Sequence, residues 1–336
     1  MKKSLLALAA LTAFAGAASA QSTVTLFGGI DLGIKQIKNN ATRTVMQQDG
    51  IYSSRLGFRT VEDLGGGLRA AVWIEGGMNP DVGTSAGQSW QRRQTVALLG
   101  SFGEIRLGRD YVPDFWNHTV FDPFGTNGAG SSVNAFGTFN GASTLVRANN
   151  SIGYFLPGGL GGLYGQAMYG LGEGTGDKHM AFRLGFQNGP INVAFANGNT
   201  ETVAGAEWKR TNVGGSFAMG ALTLMAQWNQ GKASGGADNG RKQTLWGLGG
   251  AYAMGATTVK ASYFSSDSSG TGVATRDATQ MAFGFVHALS KRTDIYGTYS
   301  RVNNDAGASY TAGGGGTALT AGRDSSAFEV GVKATF

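Results

Sequence analysis

The sequence predicts an all-β fold: a 16-stranded antiparallel transmembrane β-barrel with a long third loop folded into the lumen. Three observations point there. The C-terminal segment alternates apolar and polar residues and stops on an aromatic, the N-terminus carries an export signal, and the body is a hairpin repeat in which short turns alternate with long loops.

In segment 326–336, Phe328, Val330, Val332, Ala334 and Phe336 share one face of a strand, and Glu329, Gly331, Lys333 and Thr335 the other. Strand side chains alternate between faces. An apolar face against lipid and a polar face against a water-filled interior account for this pattern, with Phe336 in the aromatic girdle of the membrane boundary. A buried edge strand of a soluble sandwich alternates in the same way, so the other two observations are needed.

Lys2 and Lys3, an apolar run from Leu5 to Ala18, and the small residues Ala18, Ser19 and Ala20 make a secretory signal peptide over residues 1–20, leaving a barrel domain at 21–336. The apolar run is shorter than the ~20 residues of a transmembrane helix, and no later segment approaches that length.

Composition narrows the class. With 57 Gly, 5 Pro, no Cys and 14% charged residues, the chain is not collagen, a disordered polymer, a disulfide scaffold or a cysteine-based zinc protein. Leaving out Lys2 and Lys3, 25 basic residues stand against 21 acidic ones, with no basic run, which argues against a nucleic-acid partner.

Short turns fall at 63–67, 100–103, 157–162, 188–190, 218–221, 253–256 and 288–292, all but the last containing Gly or Asn. Such residues supply the positive φ that tight hairpins need. Seven turns join fourteen strands, and strands near 24–35 and 326–336 make sixteen. The polar long connections lie near 36–52, 77–90, 110–146, 170–178, 198–205, 230–241, 266–276 and 302–325. Short turns on one side and long loops on the other is the asymmetry of an outer-membrane barrel, and sixteen strands leave an open lumen. Tyr154, Tyr169, Trp228, Trp246, Tyr252, Tyr296 and Tyr299 are expected at the lipid boundary.

The oversized third loop, 110–146, holds Tyr111, Phe115, Trp116, Phe121, Phe124, Phe136 and Phe139, too many aromatics for a loop free in solvent. Folded inward, it narrows the lumen. If Leu56, Leu68, Val96, Ile105 and Ile152 face lipid, Arg55, Arg59, Arg69, Arg93, Arg106 and Arg147 point inward, while Arg92 and Arg109 fall on outward parity near strand ends. Against these arginines the loop offers Asp110, Asp114 and Asp122; His118 beside Asp114 is a candidate solute contact, with a loop-stabilising hydrogen bond the favoured reading. Arginine keeps its charge at any relevant pH, and rings of arginine favour anions in a pore.

An enzyme is not expected. His118, His179 and His287 come from distant segments, and no nucleophile-elbow or zinc-protease pattern is present. No cofactor or metal is called for.

Several segments resemble the Gram-negative general porins, in particular the betaproteobacterial branch. They are Val24-Thr-Leu-Phe-Gly-Gly-Ile-Asp31, Ser54-Arg-Leu-Gly-Phe-Arg59 leading into Glu62-Asp-Leu-Gly-Gly-Gly-Leu68, Arg93-Gln94, Phe102-Gly-Glu-Ile-Arg-Leu-Gly-Arg109, Asn150-Ser-Ile-Gly-Tyr154 and the terminal Phe336. The resemblance implies a homotrimer in the outer membrane, in contact with its lipid and lipopolysaccharide, with the second loop latching a neighbouring subunit and Phe336 read by the barrel-assembly machinery. It implies that Arg55, Arg93, Arg106 and Arg147 line a constriction through which small anions and hydrophilic solutes diffuse passively. A channel with a defined site for an anionic solute such as an organic acid is the alternative.

Overall fold

A computed structural model describes residues 23–85, 90–137, 139–270 and 275–336. The expected signal peptide, 1–20, lies outside the described residues. In chain order the strands are β1 (Thr23–Lys38), β2 (Thr42–Gln48), β3 (Arg55–Gly65), β4 (Leu68–Asn79), β5 (Thr84–Ser85), β6 (Arg93–Gly100), β7 (Gly103–Tyr111), β8 (Arg147–Phe155), β9 (Leu163–Gly170) and β10 (Lys178–Asn188). They continue with β11 (Ile191–Glu201), β12 (Glu207–Met219), β13 (Leu222–Ser234), β14 (Lys242–Met254), β15 (Thr257–Ser269), β16 (Ala278–Ala288), β17 (Thr293–Asn304) and β18 (Ser325–Thr335). Between β7 and β8 lie a helix, α1 (Pro113–Val120), and a 3-10 turn (Ser132–Ala135).

The strands close into a barrel with sixteen positions. β2 and β3 share one position, because β2 pairs with the far half of β1 and β3 with its near half. β5 is only a two-residue rung on the end of β4. Closure is made by β1 against β18, from Gly29 opposite Thr335 to Lys38 opposite Ser326. The amide of Phe336 extends that ladder by donating to the Gly28 carbonyl at 3.1 Å. A closed sheet leaves no unpaired edge in lipid.

Outward-facing side chains follow the period of two. Phe328, Val330 and Val332 on the last strand, Phe336 just after it, and Met281, Phe283 and Phe285 on β16 are exposed to the surroundings. Tyr154, Tyr169, Trp246, Tyr252 and Tyr299 point outward as expected, but Tyr296 does not: it is buried on the inner face, where its hydroxyl donates to Asp31 at 2.6 Å. The strands also outrun the expected ten or so residues. β12 to β15 are 13 residues each, because polar pairs such as Glu207 opposite Ser234 continue the ladder beyond the apolar band.

The dry core of this molecule lies inside the barrel, between the third loop and the wall. Phe136, Phe139 and Ala142 of the loop pack with Trp208 of β12, Leu245 of β14 and Phe264 of β15. Nearer β8, Val112 and Phe115 pack on Ala148 and Met168. The loop approaches closely because the wall is glycine there: a Cβ on Gly249 would sit 2.8 Å from the Pro123 ring, and one on Gly214 would collide with Phe121. Inward Trp208, Leu245 and Phe264 depart from simple polar-in alternation because they face loop rather than water.

Candidate functional site

Helix α1 begins at Pro113, whose fixed φ suits the first turn and whose missing N–H costs nothing there. Its eight residues divide by helical period. Phe115, Trp116 and Thr119 face an open cavity, while Asp114, Asn117 and His118 face the wall. The cavity, about 730 Å³, separates this helix and the following loop residues Thr126 and Asn127 from strands β3 to β9.

Five arginines line it, Arg55, Arg92, Arg93, Arg106 and Arg147, against two carboxylates, Glu75 and Asp110. Cross-strand register assembles the group: Gly57 pairs with Glu75, Glu75 with Arg93 and Ala97 with Arg106. Glu75 accepts from Arg92 Nε at 2.6 Å, Trp73 Nε1 at 3.0 Å and Arg55 Nη1 at 3.2 Å. Asp110 pairs with Arg106 and lies 3.7 Å from Arg93. Tyr111 accepts at its hydroxyl from Arg147 Nη2 at 2.6 Å and Arg92 Nη2 at 2.8 Å. The carboxylates and the phenol hold like charges together, and the surplus positive charge faces the lumen.

Arg55 is placed by the break between β2 and β3. The Asp31 carboxylate, fully buried on β1, accepts from the amides of Ile51 and Tyr52 at 2.8 Å each. Asp49 adopts a positive φ of 66° and its carboxylate accepts from the Ser54 amide at 2.6 Å. Tyr52 then lies under the Arg55 guanidinium at 4.1 Å.

Of the arginines expected inside, Arg55, Arg93, Arg106 and Arg147 meet in this cavity, joined by Arg92, whose parity points outward. Arg92 precedes β6, so strand alternation does not govern it. Arg59 lies outside the cavity, over the rings of Phe27 and Trp73 at 5.8 and 5.6 Å. Arg69 is also outside it, opposite Asp63 beside the 63–67 turn. Arg109 reaches Asn149 and the Gln91 carbonyl at the rim.

The expectation that Asp114 and Asp122 face the arginine ladder is corrected by the structure, where of the loop acids only Asp110 does; His118 touches no open lumen and instead makes loop-stabilising hydrogen bonds. Asp114 is buried against the opposite wall, 3.4 Å from His179 Nε2 and 3.6 Å from Arg210 Nη1. Arg210 Nη2 donates to His118 Nδ1, which leaves the imidazole proton on Nε2, 2.6 Å from Ser132 Oγ. Ser132 in turn donates to Asp122 at 2.6 Å. Burial, and then the adjacent Arg210 charge, push His118 well below its ordinary pKa. Burial raises that of Asp122, opposed by hydrogen bonds from Ser132 and the Phe124 amide. This chain of polar contacts fastens the loop to the wall. Read as loop, 110–146 offers no helical stripe to turn these side chains away. Arg183 and Arg210 also fall outside the set expected from sequence, although Met180, Phe182 and Leu184 pointing outward signal that Arg183 points in; Arg183 Nε donates to Asn117 Oδ1 at 2.9 Å.

With this geometry in view, comparison with known proteins gives a consistent result. Residues 7–307 match the Gram-negative porin family. Outer membrane porin protein 32 of Delftia acidovorans is 40% identical over 244 residues, covering 69% of this chain and 67% of the relative. An outer membrane porin protein of Bordetella pertussis is 32% identical over 264 residues, 67% of this chain and 68% of the relative. Among solved structures, the anion-selective porin from Comamonas acidovorans aligns with a TM-score of 0.85 at 30% identity, over 94% of this chain and 100% of that one. OmpT of Vibrio cholerae shares the fold, with a TM-score of 0.74 at 14% identity over 95% of this chain and 99% of that one.

Proposed function

We propose, from the premise that this chain belongs to the Gram-negative porin family, that its anion preference is set by Arg55, Arg92, Arg93, Arg106 and Arg147. The protein is an outer-membrane porin, a passive channel rather than an enzyme. The observation that carries the selectivity assignment is the surplus of five arginines over two carboxylates in the cavity between α1 and the wall. Guanidinium charge does not titrate away, and in a narrow, partly desolvated passage it lowers the barrier for anions and raises it for cations. The relative solved from Comamonas acidovorans is described as an anion-selective porin, which supports the same reading.

Gram-negative porins are typically trimeric, and we infer a homotrimer here, seated in outer-membrane lipid and lipopolysaccharide through its apolar outer face. Residues 1–20 act as the cleaved signal peptide and 21–336 as the barrel domain in this reading, with Phe336 the signal taken by the assembly machinery. Proteoliposomes containing the purified protein should swell in isosmotic small sugars and salts as solute enters. Swelling no faster than that of protein-free liposomes would overturn the channel assignment.

A further inference from the structure

The cavity is as rich in rings as in charge. Trp73, Tyr111, Phe115, Trp116 and Phe155 all line it. Most of the arginines are stacked: the guanidinium carbon lies 4.0 Å from the ring centre of Phe155 for Arg106, 4.2 Å from Tyr111 for Arg147, 4.5 Å from Trp73 for Arg93 and 4.1 Å from Tyr52 for Arg55. A guanidinium that lies flat on a ring keeps its N–H edge for a carboxylate. Arg55 and Arg147 both line the cavity, and the Arg55 side chain stays 21% exposed beside Glu75.

Trp116 stands apart. Its ring meets Tyr111 at 5.5 Å with a 52° tilt, lies under no guanidinium among the described residues, and is still 40% exposed on the cavity side of α1. Trp116 therefore offers a solute an open ring face on the cavity side, suited to a tilted or offset ring–ring contact.

We propose that the cavity binds aromatic carboxylates in preference to aliphatic acids of the same charge, the carboxylate against the cavity-lining guanidinium groups of Arg55 and Arg147 and the ring against Trp116. The inference rests on the anion-channel reading and names its solute class. The cavity, at about 730 Å³, lies within the roughly 300–1,000 Å³ usual for small-molecule sites. A ring–ring contact in tilted or offset geometry multiplies affinity by roughly 2 to 10.

The test is titration of the chloride current of single reconstituted channels with benzoate, cyclohexanecarboxylate and acetate. Benzoate should half-block at a concentration roughly 2 to 10 times lower than either aliphatic acid. Trp116→Ala should erase that ratio and Trp116→Phe should keep most of it; if the alanine variant does not assemble, the phenylalanine variant and the three-acid comparison still decide. Equal block by benzoate and cyclohexanecarboxylate, or a ratio unmoved by Trp116→Ala, would overturn the proposal while leaving anion conduction intact. A wild-type channel that prefers cations would instead overturn the reading beneath it.

Discussion

Tyr111 holds Arg147 in two ways at once: its hydroxyl accepts from Nη2 at 2.6 Å, and its ring lies 4.2 Å beneath the same guanidinium. The same hydroxyl also accepts from Arg92, so one neutral oxygen sits between two positive charges. Tyr111→Phe keeps the stacking surface and removes only the acceptor. A hydrogen bond to a charged group contributes about 1.5–3 kcal/mol, and its loss should let Arg92 and Arg147 move apart. The chloride-to-potassium permeability ratio should fall, with the pore still formed. An unchanged ratio would mean that the phenol does not position the arginines.

Placement along the lumen predicts unequal arginines. Arg106→Ala and Arg147→Ala should each weaken anion preference, whereas Arg69→Ala, beside the 63–67 turn and outside the cavity, should leave it at the wild-type value. Permeability ratios from salt gradients measure all three. An Arg69 effect equal to that of Arg106 would put the selective region at the turn-side mouth.

The loop is expected to be fixed chiefly by its aromatic contacts. Phe136 is buried against Trp208, Leu245 and Phe264, and Phe→Ala in a packed core costs about 3–5 kcal/mol. Phe136→Ala should therefore loosen the third loop inside an intact barrel. Single-channel records should show a larger and noisier open current, and proteolysis should cut the loop without dissolving the barrel.

Acid should weaken the same fastening. Because burial and Arg210 hold His118 below its ordinary value, the unfolded chain binds a proton there before the folded one does. The stability at stake is fully present above the unfolded value of about 6.5 and declines as pH falls below it, by at most ~1.4 kcal/mol per unit for one group. Asp122, with its value raised by burial, works in the opposite direction, in the carboxylate range. Denaturation midpoints between pH 8 and pH 5 should fall more steeply for the wild type than for His118→Gln, which does not titrate. Parallel curves would exclude His118 as the source.

Much of this was legible in the sequence. Period-two alternation through Phe328 to Phe336 and the segregation of short turns specify a closed barrel, because only that topology satisfies every strand edge in lipid. The same alternation brings Arg55, Arg93, Arg106 and Arg147 to one cavity. It fails wherever the backbone leaves strand geometry or a buried partner intervenes. Arg92 lies before β6, and Asp114 and His118 lie on a helix, whereas Tyr296 obeys alternation, sharing the inner face with Thr298 and Ser300 opposite the face of Tyr299. Trp208 and Arg210 sit on inner-wall positions that look water-facing by periodicity, and only the third loop's path makes them buried.

The arginine cluster is proposed to give the pore its sign. In a planar bilayer under a tenfold KCl gradient, the zero-current potential separates the two ions, with a limit of about 59 mV for perfect selectivity. The wild type should lie on the chloride side, and Arg106→Ala combined with Arg147→Ala should bring the potential close to zero. A wild-type potential on the potassium side, or a double variant as anion-selective as the wild type, would contradict the account.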